Sequence, residues 1–149
     1  MGSTHVGNGP TAVVAAGNDV WVANQLDGTV SRIDGASAAV AATVTVGQGP
    51  SSIAVGGGSV WVSNELDGTV SRIDPGTNTV IKTIEVGGAP SGLAVVGGAL
   101  WVTARGAGSV HRGGTLNLVT DVPVAPDPAI GYDPVSWSVI TMTNDGLVA

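Results

Sequence analysis

An all-β fold is predicted by three observations. The first is a repeat: Trp21, Trp61 and Trp101 are spaced by 40 residues, and Pro10, Pro50, Pro90 and Arg32, Arg72, Arg112 keep the same register. The second is that each repeat divides into four short runs rich in Val, Ile, Thr and Trp, the residues that suit a pleated surface. The third is composition: 24 of 149 residues are glycine, which costs helices about 1 kcal/mol per position relative to alanine. Four strands in about 40 residues is the size of one blade of a β-propeller. The predicted architecture is therefore a partial β-propeller of about two and a half four-stranded blades, followed by a mostly extended C-terminal tail.

The elements follow in order. Residues 1–8 read as the end of a preceding blade, because Val6-Gly-Asn-Gly-Pro10 aligns with Val46-Gly-Gln-Gly-Pro50. Residues 9–48 form the first repeat and 49–88 the second; they align without a gap and share 20 of 40 positions. In the second repeat the strands are expected at Ser52–Val55, Val60–Asn64, Thr69–Asp74 and Val80–Val86. Gly56–Gly58, Leu66-Asp67-Gly68 and Pro75–Asn78 separate them. Asp-Gly between two apolar runs is a hairpin signal, because the turn requires positive φ. Residues 89–112 are a partial third repeat that matches the second at 11 of 24 positions. Val60-Trp61-Val62 is uninterrupted in its apolar character, as expected of a strand covered on both faces. Residues 113–149 leave the register. There Thr115–Val119 reads as a strand, four prolines keep 120–134 extended or turned, and Ser136–Thr143 fits a helix or a strand, a helical turn being favoured after Asp133-Pro134.

Composition excludes several functions. A net charge of −6 with five Lys and Arg in the chain gives no basic patch for nucleic acid. No apolar run approaches the ~18 residues of a membrane-spanning helix. There is no cysteine, hence no disulfide and no thiol chemistry. No phosphate-loop, zinc or nucleophile-elbow motif is present, so no catalytic residue, metal site or cofactor is expected.

The meander places the turn after each fourth strand and the turn between each second and third strand on one side of the blades. That side carries Asn24, Asp27, Asn64, Glu65 and Asp67, the candidate face for a ligand or partner. Asp27 and Asp67 precede glycine, so turn chemistry competes with any cation-binding role. Trp21, Trp61 and Trp101, each flanked by Val or Leu, read as packing between blades rather than as a ligand-stacking ring. Arg32 with Asp34, and Arg72 with Asp74, sit at i, i+2 and read as structural ion pairs or as partners of neighbouring blades. His111 replaces the serine found at 31 and 71; a solvated strand position outweighs a general base there. Two uncovered blade faces, in a fold that ordinarily closes with 4–8 blades, point to association with other copies of the chain.

The run from Val46 to Val95, with its Trp-Val pair and its Gly-Thr-Val-Ser-Arg-Ile-Asp block, resembles the YVTN-type β-propeller repeat, a likeness that extends over residues 6–112. It is more distantly similar to NHL and streptogramin-lyase-like propellers. The tail resembles the start of the mature part of a family 5 extracellular solute-binding protein, the peptide- and nickel-type receptors of ABC importers. Arg112-Gly-Gly-Thr-Leu116, Asp127-Pro-Ala, Tyr132-Asp and Asp145-Gly-Leu-Val148 carry that likeness; Asn144 stands where the family has an aromatic. The two resemblances imply a fragment of a larger extracellular or cell-envelope protein, in which a non-enzymatic propeller platform adjoins a receptor for a peptide or small solute. The alternatives are a streptogramin-lyase-like enzyme fragment, which would need a histidine and metal-binding acids on the turn face, and a purely structural repeat protein.

Overall fold

A computed structural model of the chain describes residues 2–106 and the strands Thr115–Thr120 and Val139–Met142. Three antiparallel four-stranded sheets account for every strand among the described residues. The first contains β1 (Pro10–Ala16), β2 (Asp19–Asn24), β3 (Thr29–Asp34) and β4 (Ala39–Thr45), in that order. The second repeats it with β5 (Pro50–Gly56), β6 (Ser59–Asn64), β7 (Thr69–Asp74) and β8 (Thr79–Glu85). The third contains β9 (Ala89–Val96), β10 (Ala99–Arg105), β11 (Thr115–Thr120) and β12 (Val139–Met142). Each sheet is one blade of a partial β-propeller.

The blades stack face to face. Trp21, Val30 and Val44 of the first blade close on Ile53, Val60, Val62 and Ile73 of the second. Trp61 and Val70 of the second blade then meet Leu100 and Val102 of the third. One blade thus offers a tryptophan and the next receives it on β-branched or leucine side chains. Both faces of the middle blade are covered, and β6 is buried along its whole length. That accounts for the unbroken apolar run at Val60–Val62.

A bulge opens the first strand of every blade. Thr11, Ser51 and Ser91 are each skipped in the pairing with the second strand. Such an unpaired residue can turn its side chain out of the sheet plane. The Thr11 hydroxyl donates to the Pro50 carbonyl at 2.9 Å, and the Ser51 hydroxyl donates to the Pro90 carbonyl at 2.9 Å. The central strands of neighbouring blades are stitched in this way, always from one blade to the next in chain order.

In the tail, β11 and β12 complete a third four-stranded sheet where half a blade is expected, and one element differs in type. Within the Ser136–Thr143 run, where a helical turn is favoured, the described residues Val139–Met142 are a strand that pairs with β11. Val-Ile-Thr-Met is rich in β-branched residues, and β11 supplies an edge that needs a partner. Strand β11 matches the run expected at Thr115–Val119 and pairs with β10 as the third strand of its sheet. His111 and Arg112, together with Tyr132, Trp137 and the 121–134 segment, lie outside the described residues.

Candidate functional site

The turns predicted to share one side do meet. The amides of Gln25 and Leu26 donate to the carbonyls of Gly9 (2.8 Å) and Asn8 (3.2 Å), and those of Glu65 and Leu66 to Gly49 (2.9 Å) and Gln48 (3.2 Å). The second-to-third turn of each blade is thus bound to the segment that enters that blade.

Asp27 and Asp67 act in this junction. The Asp27 carboxylate accepts from the Asn8 backbone amide at 2.7 Å and from the Asn8 side chain at 2.9 Å. Asp67 accepts from the Gln48 backbone amide at 2.7 Å. Both aspartates are exposed. The Asn8 amide holds the Asp27 carboxyl below the usual carboxylate range, with the Asn8 side chain adding to the effect. Hydrogen bonds to the charged form favour that form.

Asn24 and Asn64 differ from the sequence reading. Both are fully buried, so neither belongs to the contact surface. Each amide nitrogen donates to two hydroxyls: Asn24 to Thr29 (3.1 Å) and Ser31 (2.9 Å), Asn64 to Thr69 (2.9 Å) and Ser71 (2.9 Å). Their Oδ1 atoms are buried with no partner among the described residues. The entering segment covers them. A Cβ on Gly47 would lie 2.6 Å from the Asp67 carboxylate and 2.7 Å from the Asn64 side chain. Glycine is required there because backbone and amide are already in contact.

Sequence reading overlooked the leucines of the repeated block. Leu26 and Leu66 are 77% and 78% exposed, at the crest of the turn face. Beside them Glu65 forms an ion pair with Arg105 of the next blade. The face is a row of isolated leucines set among Asp27, Asp67, Glu65 and Gln25. The available signal was the unchanged return of Leu-Asp-Gly at 26 and 66, since a turn needs the Asp-Gly but not the leucine.

The Arg and Trp positions are structural. The Arg32 guanidinium lies 5.5 Å from the Trp21 ring centre and that of Arg72 lies 5.2 Å from Trp61. Arg32 pairs with Asp19 at 2.7 Å, not with Asp34, and reaches the second blade at the Pro75 carbonyl (2.7 Å) and Asn78 Oδ1 (2.8 Å). Arg32 thus joins an ion pair within its own blade to hydrogen bonds with the neighbouring one. In the second blade Ser59 replaces Asp19 and accepts from Arg72 Nε at 2.8 Å. Asp34 instead holds its own turn, accepting from the amides of Ser37 (2.7 Å) and Ala36 (3.1 Å). The Ser37 amide holds its carboxyl below the ordinary range, and the Ser37 hydroxyl adds to this. The Asp74 carboxylate accepts from the Gly76 amide at 2.8 Å. Trp101 is partly buried, on the outward side of the third blade.

Between the first and second blades lies a groove of about 520 Å³, lined by Thr45, Val46, Gly47, Asp67, Thr69, Ser71, Val80 and Thr83. Two of its hydroxyls, those of Thr69 and Ser71, accept from the Asn64 amide. Among the described residues no group of three or more His, Asp or Glu is placed to hold a metal ion, and no helix is long and apolar enough to cross a membrane.

Solved structures with similar coordinates are β-propellers or larger proteins. Hydrazine synthase of Kuenenia stuttgartiensis matches with a TM-score of 0.69 and 25% identity, over 81% of this chain and 36% of that one. The β-propeller domain of Myceliophteria thermophila Cps50 (Swd1) matches with a TM-score of 0.69 and 13% identity, over 93% of this chain and 39% of that one. The computationally designed Ika8 protein gives 0.56 and 19%, over 73% and 32%. The chain thus spans roughly a third of the length of each. No protein-family model and no curated protein matches the sequence. Fold and neighbours together define the class: a β-propeller segment of three sheets.

Proposed function

We propose that the chain is a non-enzymatic binding module that presents its turn face to a protein or peptide partner. The observation that carries this reading is the pair Leu26 and Leu66, exposed at 77% and 78% and repeated at 40 residues. Leu26 adjoins Asp27, Leu66 lies between Glu65 and Asp67, and neither leucine contributes to the cores between blades. Exposed apolar side chains inside a polar rim are the usual anatomy of an interaction surface. A peptide with apolar anchors spaced to two turns, carrying basic flanks toward Asp27 and Asp67, fits that chemistry.

The test is selection of a random dodecapeptide phage library on the immobilised chain, followed by titration of the selected peptide. A Leu26→Ser/Leu66→Ser double variant is expected to weaken that peptide at least tenfold while leaving the thermal midpoint unchanged. Equal affinity for wild type and double variant overturns the reading.

Two finer points rest on sequence resemblance. The repeat is of YVTN type, and the tail is the start of a family 5 solute-binding domain, so the parent protein works outside the cell or in its envelope, next to peptide or solute uptake. Support comes from Asp127-Pro-Ala, Tyr132-Asp and Asp145-Gly-Leu-Val148. The reading frame in the source genome is expected to continue past Ala149 into a receptor sequence. A stop codon at that point overturns the linkage.

A further inference from the structure

The internal joints between blades have two halves, and among the described residues one copy of each half has no blade against it. The receiving half is a face formed in the second blade by Ile53, Val60, Val62 and Ile73, all at 8% exposure or less. The first blade has the same face at Val13, Val20, Val22 and Ile33, with Val13 66% exposed, Val22 buried and Val20 and Ile33 half-buried. The offering half is the tryptophan side. Trp21 and Trp61 are covered by the following blade, whereas Trp101 is partly exposed and Val96 on the same side is 65% exposed.

The polar stitch shows the same incompleteness. Thr11 and Ser51 donate to the carbonyls of the buried Pro50 and Pro90. Ser91, at the matching bulge of the third blade, is exposed, and so is Pro10 at the opening of the first. Donor and acceptor sit at opposite ends of the molecule, aimed along the same direction of chain order.

We propose that the occupant of each spare half is a second copy of this chain. The Trp101 and Val96 side of the third blade seats on the Val13, Val20, Val22 and Ile33 face of the other copy, and the Ser91 hydroxyl donates to the Pro10 carbonyl across the joint. The contact is head to tail, so two copies form two identical joints. Six sheets result, within the range in which propellers close, and a closed ring leaves no complementary surface free to propagate. The surface is distinct from the leucine crest on the turn face, so the two readings stand or fall separately.

The experiment is light-scattering mass of the full chain over a concentration series, with Val13→Glu, Val96→Glu and, as control, Ile81→Glu, whose side chain is 53% exposed on the outer strand β8. All three positions are exposed in the single chain, and circular dichroism checks that each variant keeps its strand signal. Wild type and Ile81→Glu are expected at twice the chain mass of 14.5 kDa, and Val13→Glu and Val96→Glu each at one. A wild type that stays at one chain mass overturns the proposal. So does a dimer that survives either valine substitution, which would put the contact elsewhere or make it one face against itself. Masses that grow without limit overturn the closed pair.

Discussion

Arg32 on β3 donates to the backbone carbonyl of Pro75, 43 residues further along the chain and in the next blade, at 2.7 Å. The same guanidinium bonds Asn78 and Asp19 and lies over Trp21. One side chain thereby ties the hydrophobic joint of two blades to the outer turn of the second. Substitution by methionine keeps the packing of the stem and removes the donors. Hydrogen bonds to charged groups contribute about 1.5–3 kcal/mol, so Arg32→Met is expected to lower unfolding free energy in urea by about 2–3 kcal/mol. Arg32→Lys should lie between, because an ammonium cannot reproduce the planar fork.

The turns at Asp34–Ala38 and Asp74–Asn78 have the same shape but different residues in the left-handed position. Ala38 has φ 54° and Asn78 has φ 56°. Asparagine tolerates that region, whereas alanine pays about 1 kcal/mol or more for it. Ala38→Asn is expected to raise the thermal midpoint by a few degrees. Asn78→Ala should lower it further than backbone strain alone accounts for, since it also removes the acceptor of Arg32. Differential scanning calorimetry of the two variants checks both signs.

Gly47 lies against the buried Asn64 amide, and its Cβ would fall 2.7 Å from that side chain. Overpacking of this kind costs about 1–3 kcal/mol. Gly47→Ala is expected to destabilise the chain by that amount and to speed amide exchange at Glu65 and Leu66, whose amides bond the same entering segment. Unchanged protection at those two amides would contradict the clasp.

The depressed carboxyl of Asp27 sets a pH dependence. Its folded-state pKa lies below the unfolded one, so its contribution is fully present above the ordinary carboxylate range and disappears as pH falls through the folded value. Acidification below about pH 4 is expected to loosen residues 6–9 from the first blade. Asp27→Asn should flatten that part of the stability profile while leaving the neutral-pH fold intact, as read from thermal midpoints between acid and neutral pH.

The blade register was legible because Leu-Asp-Gly-Thr-Val-Ser-Arg-Ile-Asp returns unchanged, and β7 lies at the expected Thr69–Asp74. The shared side of the two turn classes followed from strand alternation alone. Side-chain partners were harder. Arg32 and Asp34 are two apart on one strand, yet Arg32 stands opposite Trp21 on β2, and the cross-strand neighbourhood with Asp19 prevails. Asn24 looked like a surface residue because its type favours turns; the segment passing over it, 17 residues earlier in the chain, is a tertiary effect that no local pattern carries. The pairing of β12 with β11 joins residues separated by a proline-rich stretch, so neither its register nor its existence was available from periodicity.

The hydroxyls at the three bulges have a consequence for how such a chain arises. Each 40-residue unit carries its own acceptor and its own donor on adjacent residues, Pro50 and Ser51 in the second. A gene duplication that copies the unit in frame therefore delivers a joint that already fits its neighbours. Growth by whole units requires no compensating mutation, whereas a duplication of any other length would separate a donor from its acceptor. The period of the sequence is in this sense a record of which copying errors the fold could accept.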